Sequence, residues 1–207
     1  MTKSPIFEKH YRDYLSQIGR IDLDRLPDLL GVERRGGEIA VPVFGAPYRV
    51  SADGIYDPQE APADYGTGVI LSRYLLQCPP KAPKGDGWRA FRDFQNAAPL
   101  LGYFSANVEQ RIADHFRARL PSLAAASAAL AVRRPGLVLD YDFTGCFDPL
   151  PRVPVLLTFN DADAMFPVHC SVLFETRVES YLDMECVAMV GALLAQRLIA
   201  VSSGQRA

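Results

Sequence analysis

The chain is poor in the residues that bind metals in proteins. Its 207 residues include only three histidines and four cysteines. The cysteines (Cys78, Cys146, Cys170 and Cys186) form no C-x-x-C pair, the spacing that lets one tight turn direct two thiolates at one ion. The histidines form no H-x-H or H-x-x-x-H pattern. The sequence therefore predicts no iron–sulfur cluster, no structural zinc and no cofactor.

A strong charge excess and a long apolar run are also missing. The formal net charge is −2, and the longest basic runs are Arg34-Arg35 and Arg133-Arg134, so nucleic acid is not an expected partner. No window reaches the roughly 18 uninterrupted apolar residues of a membrane span, and the N-terminus has no apolar signal segment. We therefore expect a cytoplasmic protein with reduced thiols and no membrane partner.

The remaining composition is that of a globular protein, with 49% hydrophobic and 22% charged residues. We predict a single domain over residues 1–207. It would contain N-terminal helices in 1–36, a hairpin plus helices in 37–135, and C-terminal strands with a helix in 136–200.

Helices are predicted where apolar residues recur three or four positions apart beside capping residues. Ser4 and Pro5 open the first helix, Gly19 ends it, and Asp183 caps the last one. Gly66-Thr67-Gly68 lacks the Lys-Ser/Thr that follows the glycines of a phosphate-binding loop. We therefore predict that Thr67 caps a helix at this point. The predicted helices are 5–18, 22–30, 66–77, 105–116, a segment from Pro121 to the stop at 133–136, and 184–199.

Alternating apolar residues predict a hairpin over 38–51 and further strands within 137–175, including "LVLDYDF", "VPVLLTF" and "FPVHCSVLFE". Helices and hairpins occur in separate runs rather than in βαβ alternation. This arrangement predicts an α+β fold: an antiparallel sheet built from these segments, with flanking helices and the C-terminal helix packed on one face.

The stretch "FNDADAMFPVHCSVLFE", from Phe159 to Glu175, resembles a small active site because it collects several titratable side chains. A calcium loop needs alternating oxygen ligands and a glycine at the bend, but Met165 and Phe166 fall at those positions. We therefore predict a polar loop between two strands.

Two groups of residues are candidates for ligand binding. Asp140 and Asp142 share one face of the predicted strand 137–143, about 7 Å apart, and Arg152 could join them in a cleft. The alternative for this pair is a solvated strand face.

The second group is aromatic and consists of Trp88, Phe91 and Tyr103, for which core filling is the alternative. Trp88 follows a loop rich in proline and glycine at residues 78–87. We predict that it is partly exposed and lines the largest pocket.

The C-terminal half carries "F-x-x-x-D-x-x-F-P" (Phe159, Asp163, Phe166, Pro167), then "V-L-F-E" from Val172 and "Y-L" at Tyr181. Residues 30–32 read "LGV", and "V-P-V-F-G-x-x-Y-x-V" starts at Val41. With these motifs the chain resembles the domain-of-unknown-function family numbered 3786. The resemblance implies no established activity. It does imply a link to corrinoid or redox-enzyme systems, because some members are joined to a cysteine-rich iron–sulfur segment.

Two classes of function follow. The first is a non-catalytic module that binds a small molecule or a partner protein, and it is favoured because no catalytic motif is complete. The second is an enzyme with a carboxylate and arginine cleft formed by Asp140, Asp142 and Arg152. The sequence predicts neither the ligand nor the oligomeric state.

Overall fold

The computed structural model describes residues 5–85, 87–136 and 139–205. Its helices are α1 (Pro5–Ile18), α2 (Leu26–Leu30), α3 (Tyr65–Leu76), α4 (Leu101–Phe104), α5 (Gln110–Phe116), α6 (Leu120–Ala129) and α7 (Met184–Ser202). Its strands are β1 (Glu33–Arg35), β2 (Glu38–Val43), β3 (Ala46–Val50), β4 (Ile55–Tyr56), β5 (Trp88–Ala90), β6 (Phe143–Leu150), β7 (Val153–Asn160) and β8 (His169–Glu175).

The strands form two four-stranded antiparallel sheets, in the orders β1-β2-β3-β4 and β5-β8-β7-β6. The predicted α+β fold is therefore confirmed, but the expectation of one shared sheet is wrong. Strands β1 and β4 pair with part of each edge of the β2–β3 hairpin, and the later strands pair only with one another. The sheets meet instead through packing and through a hydrogen bond from Phe44 N to Pro149 O, 3.2 Å long.

The predicted strand 137–143 is wrong in its position, because β6 begins only at Phe143 and residues 139–142 form a loop. Leu137 and Val138 lie outside the described residues. Side chains replace the β ladder at this point: Asp142 N donates to Asn160 Oδ1 (3.0 Å), and Asp161 N donates to Asp142 Oδ2 (2.8 Å). The loop between β7 and β8 is confirmed.

Several helix ends differ from the predictions. The predicted cap Ser4 lies outside the described residues, whereas Asp183 does cap α7 and accepts from Cys186 N at 2.9 Å. The cap of α3 is Asp64 rather than Thr67, since its carboxylate accepts from Thr67 N at 3.0 Å. Ser105 begins no helix, because α4, a π-helical turn at Ser105–Glu109 and α5 follow one another without a break.

Helix α7 supplies much of the core and packs against α3, α5 and α6. By length and apolar composition alone it would be long enough to cross a membrane, but half of its most apolar window is buried inside the fold. Phe104 and Val108 pack closely against α7 at Gly191. A Cβ added to this glycine would lie 2.7 Å from a ring carbon of Phe104 and 3.3 Å from Val108. A glycine is required here for space, since its backbone is ordinary helix.

We expect Gly191→Ala to lower the free energy of unfolding by up to about 2 kcal/mol. The gain in helix propensity is about 1 kcal/mol, whereas overpacking a tight core contact costs about 1–3 kcal/mol. Gly102→Ala on α4 is the matched control, because nothing lies within 4 Å of the added Cβ. This control should stabilise the protein by about 0.5–1 kcal/mol. Urea unfolding measures both, and a Gly191→Ala variant at least as stable as the wild type would contradict the packing argument.

Candidate functional site

A cavity of about 600 Å³ lies where β5 meets β8 and the start of β7. Its wall combines Trp88 with three arginines: Arg133 and Arg134 come from the segment after α6, and Arg177 comes from the turn after β8. The wall also includes Cys146, Asp148 and Glu175, together with prolines 135, 151 and 154. We call this the arginine–tryptophan cavity.

Backbone pairing fixes the residues of this cavity in place. Trp88 on β5 lies opposite Glu175 on β8. Arg133 and Cys146 form an isolated antiparallel bridge in which each backbone N–H donates to the other's carbonyl at 2.8 Å. The backbones of Trp88 and Arg133 are thus both hydrogen-bonded to the second sheet. Trp88 lies on the edge strand β5, and Arg133 pairs with the opposite edge strand β6.

Two of the three guanidinium groups are held by carboxylates. Arg133 donates to both oxygens of Asp148, at 2.7 and 2.6 Å. Arg177 lies 2.5 Å from Glu175, and both side chains are mostly buried. The third, Arg134, is exposed and makes no ion pair with any residue in 5–85, 87–136 or 139–205. Among the described lining residues, three guanidinium groups thus stand against two carboxylates, and Arg134 at the rim is the guanidinium without an ion-pair partner there.

The loop before Trp88 lies directly on the Glu175–Arg177 pair. A Cβ added at Gly85 would come within 2.6 Å of Glu175 Oε2, so the loop backbone leaves no room for a side chain. The Glu175 Oε2 and Arg177 Nε atoms are both shielded from solvent. Neither atom has a hydrogen-bond partner among the described residues, so charge attraction, which is stronger away from water, is what holds the pair together.

Cys146 contributes a thiol to the same cavity, but not an activated one. Its Sγ atom accepts a weak contact from Arg133 Nη2 at 3.6 Å. Burial raises the pKa of the Cys146 thiol, and the Arg133 guanidinium opposes that rise only in part. The thiol is therefore protonated at neutral pH, and thiolate nucleophilic chemistry is not supported. All four cysteines are free, and three of them are buried.

A second and larger cavity, of about 710 Å³, lies at the other end of the second sheet. It is lined by four aspartates (Asp140, Asp142, Asp161 and Asp163) together with Asn160, His169, Tyr141 and Phe166. We call it the acidic cavity. The structure thus brings together the predicted carboxylates Asp140 and Asp142, and it adds Asp161 and Asp163, which the sequence analysis assigned only to a turn.

The turn assignment of Asp161 and Asp163 agrees with their hydrogen bonds. Asp163 Oδ1 accepts from Met165 N and Phe166 N, each at 2.7 Å, and these bonds lower the pKa of Asp163. Asp161 Oδ1 accepts from Ala118 N at 2.9 Å. Among the residues that the structure describes, no three histidine, cysteine or acidic side chains are grouped as a metal site requires.

Arg152 does not join these carboxylates. It lies at the turn between β6 and β7, whereas Asn160 and the acidic cavity lie at the opposite end of β7. Its Nη2 donates to Asp28 O at 3.1 Å, and its backbone N–H donates to the Tyr74 hydroxyl at 3.2 Å. The predicted cleft of Asp140, Asp142 and Arg152 is therefore not formed, and Arg152 ties α2 to the β6–β7 turn instead.

The aromatic candidates also occupy separate places. Trp88 is half-buried as predicted, but it lines the arginine–tryptophan cavity and not the larger acidic one. Phe91 is buried and stacks on Phe104, with ring centroids 4.2 Å apart. Tyr103 is exposed and lines a cavity of about 210 Å³ beside the start of α3. The cavities beside Phe91 and Tyr103 also have charged side chains in their walls, but at about 190 and 210 Å³ they are too small for a drug-sized ligand. Of the three aromatic residues, Trp88 therefore lies in the cavity best suited to such a ligand.

Glu109 is a half-buried acid that the sequence analysis missed. Strand β5 ends at Ala90, opposite Leu173, so the next part of the β8 edge has no strand partner there. Glu109 Oε1 fills this gap by accepting from Val172 N at 3.2 Å. A small cavity of about 190 Å³, lined by Phe91 and Phe104, lies beside it. Burial raises the pKa of Glu109, because its charged form has lost water.

We expect Glu109→Gln to stabilise the protein at pH 7 but not at pH 4. A raised folded-state pKa contributes stability below the unfolded pKa of about 4.3, and that contribution is lost as pH rises through the folded pKa. Glutamine keeps an oxygen for Val172 N and cannot ionise. Chemical unfolding at several pH values measures the difference between variant and wild type. A difference that did not grow with pH, or that also appeared for exposed Glu179→Gln, would contradict this account.

Comparison with known proteins supports the resemblance noted in the sequence. A family model described as a domain of unknown function, DUF3786, matches residues 22–197. The chain belongs to this family. Its match includes the arginine–tryptophan cavity and the acidic cavity, both of which lie within those residues. Neither a curated protein nor a solved structure matches the chain.

Proposed function

We propose that this DUF3786 chain is a non-catalytic binding module that takes up a flat, anionic small molecule in the arginine–tryptophan cavity. The observation that carries the proposal is the placement of one indole and three guanidinium groups around a single cavity of about 600 Å³. This volume falls within the range of about 300–1,000 Å³ that is usual for ligand pockets.

The chemistry of the wall supports both parts of this ligand description. An indole presents a large flat face, so it favours a planar ring system. A guanidinium donates two parallel hydrogen bonds to a carboxylate or phosphate, and Arg134 is the group with no described ion-pair partner. Arg133 and Arg177 add positive potential although carboxylates hold them.

The proposal is one of binding rather than of catalysis. The thiol of Cys146 is protonated at neutral pH, because burial raises its pKa. The alternative function, an enzyme, requires Asp140, Asp142 and Arg152 in one cleft. The two aspartates lie near the end of β7, whereas Arg152 lies just before its start. The expected link to corrinoid or redox-enzyme systems stays a prediction that rests on the family resemblance.

Trp88, the only tryptophan, makes the proposal directly testable by fluorescence. We expect adenosine monophosphate or a naphthalene carboxylate to quench Trp88, whereas uncharged adenosine should bind more weakly. Arg134→Gln should weaken binding of the anions by about tenfold, the loss expected for one charge-assisted hydrogen bond.

Arg20→Gln is the matched control, since Arg20 is exposed in the turn after α1 and does not line the cavity. It should leave the dissociation constant unchanged. The proposal fails if adenosine binds as tightly as the anions, or if Arg134→Gln and Arg20→Gln have the same effect.

A further inference from the structure

The rim of the acidic cavity exposes large apolar side chains. Among the described residues, six large hydrophobic side chains are exposed, and three of them lie here. They are Met165 at 81% exposure, Phe166 at 65% and Tyr141 at 41%. Tyr141 and Phe166 face the same cavity from different loops. Such a concentration of exposed apolar side chains is typical of a surface that binds another protein.

The loop that carries Met165 and Phe166 is held in this outward position. Asp163 binds the backbone N–H groups of both residues, and Asp163 N donates back to Phe166 O at 3.0 Å. Asp161 attaches the start of the loop to the segment after α5 by accepting from Ala118 N. With its backbone fixed in this way, the loop presents the two apolar side chains to solvent instead of folding them over the core.

The charges around these side chains are of one sign. The carboxylates of Asp140, Asp142, Asp161 and Asp163 line the cavity, and no lysine or arginine among the described residues lines it. The one basic side chain among the described lining residues is His169, whose ring is hydrogen-bonded to the Ser171 hydroxyl at 3.0 Å. Backbone N–H groups donate to Asp142, Asp161 and Asp163 and so orient these three carboxylates. The surface is therefore apolar at its rim and negative at its centre.

We propose that this surface, formed by Tyr141, Met165, Phe166 and the four aspartates, docks a basic and apolar segment of a partner protein. Charge complementarity selects the lysine or arginine side chains of that segment. Its apolar side chains would cover Met165 and Phe166, and the flexible thioether of Met165 can adapt to their shape. This site lies at the other end of the second sheet from the arginine–tryptophan cavity, so it does not depend on the function proposed there.

The test uses a short fluorescent peptide in which lysine alternates with leucine and phenylalanine, titrated with the whole chain and followed by anisotropy. We expect binding that weakens with added salt. Phe166→Ser should weaken it by about tenfold, since truncating an aromatic side chain that a partner buries commonly has such an effect. Asp140→Asn should weaken it by about threefold at low salt, because it removes one exposed charge.

Matched variants distinguish binding at this site from nonspecific binding of the peptide. Tyr103→Ser removes an aromatic side chain of similar exposure on α4, and Asp13→Asn removes an exposed charge on α1. Neither should change the dissociation constant. The four variants are all at exposed positions, and circular dichroism checks that each is folded.

Four results would overturn the proposal. The first is equal binding of the peptide to Phe166→Ser and Tyr103→Ser. The second is equally tight binding of a peptide with glutamate in place of lysine. The third is self-association of the chain that Phe166→Ser abolishes in sedimentation experiments, which would identify a second copy as the occupant. The fourth is competition: if millimolar calcium displaced the peptide at constant ionic strength, the site would be one for a small cation rather than for a protein.

Discussion

Burial of strand β7 on both faces determines where the second sheet can interact with other molecules. Every residue of β7 from Val153 to Phe159 is buried, and Asn160 is the first residue that reaches solvent. The strand has partners on both sides, β6 and β8, so its edges are satisfied as well. Polar side chains can therefore collect only beyond its two ends. The arginine–tryptophan cavity lies at the start of β7, and the acidic cavity lies at its end.

The two ends of this sheet carry opposite charge. Three arginines line the cavity at the start of β7, and four aspartates line the cavity at its end. The formal net charge of −2 conceals this separation, because opposite charges cancel in a sum. A nearly neutral chain can thus present one surface suited to an anion and another suited to a cationic segment. Fields of this kind act over about one Debye length, roughly 8–10 Å at moderate salt.

The elements with strong local signals were predictable from the sequence. Helix α7 combines a capping aspartate with a long apolar stripe, and the β2–β3 hairpin combines alternation with a glycine turn. The division into two sheets was not predictable in the same way. It depends on β1 and β4, which are three and two residues long and carry no alternating pattern. Which edges such short strands occupy is decided by tertiary packing.

The candidate site was predictable in its residue types but not in its grouping. Asp140 and Asp142 were expected on a strand face, yet they lie in a loop, where Asn160 Oδ1 accepts from Asp142 N and Asp142 Oδ2 accepts from Asp161 N in place of the ladder. The same contact brings Asp161 beside them, which no spacing along the chain reveals. Arg152 was expected near these carboxylates, but the hairpin carries it to the far end of β7.

The aromatic residues show why closeness in sequence is a poor guide to closeness in space. Trp88 lies on a strand, and the chain leaves that strand immediately after Ala90. This change of direction buries Phe91 against Phe104 while Trp88 stays at the surface. The helical stretch from Leu101 then directs Phe104 inward and leaves Tyr103 exposed. Because β5 is so short, Glu109 completes the edge of β8, and this edge therefore carries a half-buried carboxyl group with a raised pKa. The early end of β5 thus separates Trp88 from Phe91 and also brings an acid against the edge of the second sheet.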